Sequence, residues 1–214
     1  MKKFYFISGL GSTRESIQDF EKEMNQFGYE VQFIDIPGQY SNRDVKIQSE
    51  QDLIEWLTDR IPVGSNVIAF SMGADIAIRY HSFLQARKLI ILDGGIIDYD
   101  LMNITLEEDI VMTKSYIKEN QLDMNVETIS KLTSLLRGHY IDIFHAGLNT
   151  ETLLLLSDHP DFVYKYKMNK IEANQENMNH IFIQFITDTS HEIYVEKPKE
   201  VVNSIMAWLQ RTNN

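Results

Sequence analysis

The chain has 214 residues, 43% hydrophobic and 24% charged, which is enough for one large domain with a sizeable core and excludes a disordered chain or a collagen-like fibre. Its 31 acidic against 20 basic residues give a net charge of −11 with no basic cluster to offset it, so nucleic acid is not an expected partner. With no cysteine there is no disulfide scaffold, no Cys-ligated metal and no thiol nucleophile, a composition that suits a cytoplasmic protein.

The first apolar run, after Met1-Lys2-Lys3, is cut short by Gly9 and lacks a small-residue cleavage pattern, so it reads as a buried strand and not a signal peptide. No apolar run reaches the ~18 residues of a membrane span, and stable membrane insertion is not expected. Strands are predicted at Phe4–Ser8, Val31–Ile36, Asn66–Phe70, Lys88–Leu92, Thr152–Leu156 and Ile181–Ile186. Most are apolar throughout instead of alternating, the mark of strands covered on both faces. Amphipathic stretches fall between them at Glu15–Phe27, Val45–Ile61 and Met72–Gln85, and a last one at Pro198–Arg211 carries a wide apolar stripe. This alternation predicts an α/β fold, doubly wound, with a mainly parallel six-stranded sheet.

One interval breaks the rhythm. About sixty residues between Asp93 and Thr152 contain no convincing strand. Thr105-Leu106-Glu107-Glu108 is a capping box opening one helix, with Leu106, Ile110, Val111 and Ile117 on one side. Val126, Ile129, Leu132, Leu135 and Leu136 mark a second helix, with Gly138 placed to end it. The single domain 1–214 is therefore expected to carry a helical cap at approximately 99–147, inserted between the fourth and fifth strands. That cap should roof the site with apolar residues.

The strongest local signal for chemistry is Ala69-Phe70-Ser71-Met72-Gly73. A buried strand runs into Ser71 and a helix starts at once, with small residues at −2 and +2. A nucleophile on a sharp strand-to-helix turn needs such neighbours, because the backbone closes on itself there. The helix N-terminus also offers N–H groups to a developing oxyanion. The plainer reading is a serine capping a helix. Two further features bear on the choice: the Gly turn Ser8-Gly9-Leu10-Gly11-Ser12-Thr13 after the first strand, and His191 just beyond the last strand, at the sheet edge where open α/β folds place ligands.

Taken in order, these segments resemble the α/β-hydrolase superfamily over essentially the whole chain. Phe4–Thr13 is similar to its oxyanion-hole turn, with Ser8 where His is common. Asp35-Ile36-Pro37-Gly38 resembles its Asp-x-Pro-Gly loop, Ala69–Gly73 its nucleophile elbow, and Ser190-His191 its His loop. The resemblance implies a small serine esterase or thioesterase acting on an acyl substrate through an acyl-enzyme, without cofactor or metal. Ser71 would be the nucleophile, His191 the general base, and the backbone N–H groups of Leu10 and Met72 the oxyanion hole. The family's acid follows the strand at Thr152–Leu156, which implies Asp161, with Asp158 as the alternative. Asp93, at the end of an earlier strand, reads first as a residue that orders its loop, although some relatives carry the acid there.

Other readings stand beside this one. The fold could serve binding without turnover, or carbon–carbon bond cleavage or a lyase reaction. Gly9-Leu10-Gly11 with Asp35 also echoes a dinucleotide fingerprint, but Arg14 occupies the position where a third small residue would let helix and strand pack. Lys165-Tyr166-Lys167-Met168-Asn169-Lys170 reads as a solvated helix face.

Overall fold

The computed structural model describes residues 2–98, 103–138, 140, 143, 148, 150–178 and 181–212. Six strands, β1 (Lys2–Ile7), β2 (Tyr29–Ile34), β3 (Asn66–Phe70), β4 (Lys88–Leu92), β5 (Glu151–Ser157) and β6 (Ile181–Ile186), form one sheet in the order β2-β1-β3-β4-β5-β6. Every pairing is parallel. The helices α1 (Gln18–Gln26), α2 (Glu50–Arg60), α3 (Met72–Arg79) and α4 (His81–Leu84) connect the first four strands, and α5 (Leu106–Glu119) and α6 (Val126–Leu136) follow β4. α7 (Asp161–Ala173) joins β5 to β6, and α8 (Ile193–Glu196) and α9 (Pro198–Thr212) end the chain.

Two cores explain the unbroken apolar runs. Ile7, Val67, Ala69, Leu89, Ile91, Leu154 and Leu156 point to one face, against α2, α3 and the α5–α6 pair. Their neighbours Phe4, Phe6, Ile68, Phe70, Ile90, Leu92, Leu153 and Leu155 point to the other, against α1 and α9. Each large buried side chain among them contributes roughly 1.5–3 kcal/mol of transfer free energy, which holds the helices on both faces. β6, at the edge, alternates instead, with Phe182 exposed.

Element starts follow their caps. α2 begins at Glu50, not Val45, because Ser49 and Asp52 form a capping box. Thr105 and Glu108 form the expected one ahead of α5. The expected helix Met72–Gln85 is two, broken after Arg79 and closed by Gln85 in a left-handed conformation. The segment after β5 is not a long loop: α7 starts at Asp161 itself. α5 and α6 pack on each other and on the sheet face that carries α3, burying Ile117, Ile129, Leu132 and Leu136, whereas Val111 is exposed. The expected cap limits, Tyr99 and Gly147, lie outside the described residues. Among the described residues, no helix is long and apolar enough to cross a membrane.

Candidate active site

Ser71 sits between β3 and α3 with φ 50° and ψ −121°, a conformation that non-glycine residues avoid. Its N–H donates to the Leu92 carbonyl of β4 at 3.2 Å, and its carbonyl accepts from the Ala74 and Asp75 N–H groups at 2.8 and 3.1 Å. The small neighbours have a steric reason. A Cβ on Gly73 would lie inside contact distance of the Ser8 and Ile7 carbonyl oxygens, because α3 starts hard against the end of β1. One on Gly9 would meet the Phe70 ring at 2.7 Å and the Ser71 Cβ at 2.9 Å. The glycine turn and the serine elbow therefore lock together.

That turn is also held from behind by a residue that no motif singles out. Gln39, fully buried, donates through Nε2 to Ser8 Oγ at 2.8 Å and to the Gly9 carbonyl at 3.1 Å. Its Oε1 accepts the Gly11 N–H at 3.1 Å. One side-chain amide thus grips the backbone on both sides of Leu10. Leu10 and Met72 flank Ser71 on the wall of one cavity. Met72 is the first residue of α3, so its N–H has no acceptor inside the helix. The turn packs onto Ser71 and is tied to Gln39. Asp35, the acid of the dinucleotide reading, accepts from the Ser41 N–H and hydroxyl instead.

His191 bridges the elbow to a carboxylate. Its Nε2 lies 2.8 Å from Ser71 Oγ and its Nδ1 2.7 Å from Asp93 Oδ2, and the ring packs on Phe70 at 4.8 Å between centroids. An ionised carboxylate can only accept, so Nδ1 carries the proton and Nε2 is free to accept from the serine hydroxyl.

The partner of His191 is therefore Asp93, which corrects the expectation of Asp161 or Asp158. Asp161 opens α7 at the surface and pairs with Lys165 at 2.6 Å. Asp158 accepts from the Asp188 and Thr189 N–H groups at 3.0 and 3.1 Å and lies 2.7 Å from His159, so it fastens the loop that carries His191 without touching the ring. Side-chain direction is the physical reason: Asp158 is taken up by the N–H groups of its own neighbouring turn and Asp161 by Lys165, whereas Asp93, ending β4, turns its carboxylate onto the ring.

Asp93 is 2% exposed at its side chain and has φ 43°. Besides His191 it accepts from the Ser157 N–H at 2.8 Å, the Ser157 hydroxyl at 3.0 Å and the Lys167 ammonium at 2.5 Å. Burial alone would raise its pKa. The bond from His191 and the nearby Lys167 charge outweigh that and hold it below the usual carboxylate range. Lys167, expected on a solvated face, is buried.

A cavity of about 140 Å³ opens beside Ser71. α5 and α6 roof it with Asp109, Thr113, Thr133 and Leu136, and Arg137 follows α6, bound to Asp109 at 2.9 Å. This roof is more polar than expected, because the apolar stripes of α5 and α6 are used in packing on each other and on the core. Asp75, four residues after Ser71, lines the cavity floor. Burial, with a smaller push from Asp109, raises its pKa to about 8 against the opposing Gly95 N–H bond. Among the described residues, no three His, Asp or Glu side chains gather as a metal site.

No protein-family model and no curated protein matches the chain. Solved structures do. A carboxylesterase study of the ammonia-oxidizing thaumarchaeon Nitrososphaera gargenis supplies one, with TM-score 0.72 at 15% identity, covering 99% of this chain and 91% of that one. NosK from Streptomyces actuosus superposes with TM-score 0.72 at 12% identity over 100% and 99%. MenH from S. aureus follows with TM-score 0.66 at 17% identity over 100% and 95%. With the parallel sheet order and the strained serine between β3 and α3, these likenesses define the fold: it is the α/β-hydrolase fold.

Proposed function

We propose that the protein is a serine hydrolase that cleaves a small carboxylic ester or thioester through an acyl-enzyme. The observation that carries this reading is the single imidazole bridging Ser71 Oγ and a buried carboxylate, on an elbow whose strain has no other evident use. Ser71 attacks the acyl carbon while His191 Nε2 takes its proton, and Asp93 stabilises the imidazolium that forms. The N–H groups of Leu10 and Met72 are the donors for the oxyanion, a type of contact worth about 10²–10³ in rate per donor. His191 returns its proton to the leaving group, and water then repeats the sequence to release the acid. The small cavity suits a short acyl group, and its polar roof favours one that carries hydrogen-bonding atoms.

Labelling with a fluorophosphonate and turnover of short-chain p-nitrophenyl esters and acyl-CoA thioesters test this reading. The wild type should label at Ser71, and Ser71→Ala should lose both labelling and turnover. A folded wild type that neither labels nor hydrolyses any member of the panel would overturn it.

A further inference from the structure

Resting on that reading, we infer that Lys167 is a positioning residue of the catalytic relay, a fixed counter-cation that aims the Asp93 carboxylate and keeps His191 from being held as imidazolium at rest. α7 is otherwise a surface helix: Lys167 is its one fully buried residue, 2% exposed, where a helix facing a core would bury leucine or isoleucine. Burying an ammonium costs several kcal/mol unless its hydrogens are all matched. Here they are. The three N–H groups meet Asp93 Oδ1 at 2.5 Å, Ser157 Oγ at 2.8 Å and the Ser157 carbonyl at 3.2 Å.

The carboxylate is saturated in turn. Oδ1 takes Lys167 and the Ser157 N–H, and Oδ2 takes the Ser157 hydroxyl and His191 Nδ1. Four donors leave it no rotation, so Oδ2 stays on the ring. Among the described residues, the titratable groups reaching Asp93 are His191, from the loop after β6, and Lys167, from α7. β5 adds only the neutral Ser157 groups, and Ser71 faces the other ring nitrogen. Asp93 and Lys167 together are neutral at rest. A lone buried carboxylate would draw a proton onto the ring more strongly, and the Lys167 ammonium on its other oxygen opposes that draw. When the imidazolium forms during turnover, Oδ2 is already in place.

The test is the pH dependence of Ser71 labelling by a fluorophosphonate and of kcat/KM for a p-nitrophenyl ester, in wild type, Lys167→Met and Lys167→Arg. Removing the cation should move the acidic limb to higher pH by roughly one unit and cut the rate about threefold at neutral pH and up to about tenfold on the acid side, with the loss largely recovered at alkaline pH. Lys167→Arg, which keeps the charge, should return the limb towards its wild-type position. A folded Lys167→Met with an unmoved limb would overturn the inference and leave Lys167 a structural tie. Should Lys167→Met not fold, Asp93→Asn is compared with Asp93→Asn/Lys167→Met. The acidic limb of residual labelling should lie at higher pH in the double variant, and coincident limbs would overturn the inference. Failure of the wild type to label at all would instead overturn the hydrolase reading.

Discussion

Replacing Asp75 by asparagine should stabilise the protein at alkaline pH and change little near pH 4. Asp75 lines the cavity beside Ser71, and burial moves its pKa from the ordinary 3.8 to about 8. Below about pH 4 the carboxyl is neutral in both folded and unfolded chains and has no effect on the balance. Between the two values the unfolded chain gives up the proton and the fold retains it, so stability falls by at most ~1.4 kcal/mol per pH unit. Above about pH 8 both states are ionised and the cost is constant. Roughly four units at that slope set an upper limit of about 5–6 kcal/mol. The cavity admits water, which relieves part of the cost, and about 2–4 kcal/mol is expected to remain. Asparagine is neutral throughout, nearly isosteric, and still accepts the Gly95 N–H. Urea denaturation of both proteins at about pH 4.5, 6.5 and 8.5 measures the difference directly. It should be small at the first value, grow with pH, and level off above 8. A difference independent of pH, or an asparagine variant less stable at pH 8.5, would refute the reasoning.

Two further outcomes separate the roles assigned to neighbouring residues. Asp93→Asn should cut kcat by up to about 10⁴, because the amide can leave the imidazole in the wrong tautomer, while Asp161→Asn, which loses only an exposed ion pair, should stay near wild type in ester turnover. Asp158→Asn should fall between them by several-fold, since it loosens the turn at Asp188–Thr189 that carries His191 and leaves the ring's own bonds intact. Gln39→Leu should lower kcat about tenfold or more with little change in KM, because Leu10 loses the amide that grips both of its neighbours while the acyl pocket is left unchanged; steady-state kinetics with an unchanged kcat would remove Gln39 from the site.

Much of this protein is determined locally. The near-continuous apolar runs require burial on both faces and so imply a covered parallel sheet. Small residues around Ser71 announce a close backbone approach, which Gly73 makes against β1. His191 follows the last strand, so it must emerge at the carboxyl edge of the sheet. The Thr105–Glu108 box fixes the start of α5 from within four residues. What only the tertiary structure decided is which way a side chain turns. Asp93, Asp158 and Asp161 all follow strand ends, and the resemblance ranked Asp161 first; in the fold Asp161 pairs with Lys165, Asp158 holds the Asp188–Thr189 turn, and it is Asp93 that meets His191. Gln39 is one polar residue in a loop until folding brings it behind the glycine turn. Lys167 shares its local pattern with Lys165 and Lys170, yet one of the three turns inward, because the buried carboxylate and the Ser157 oxygens offer its ammonium a full set of acceptors. Sequence periodicity reports burial, and it reads a lysine as surface; only the position of the opposite charge in space reverses that.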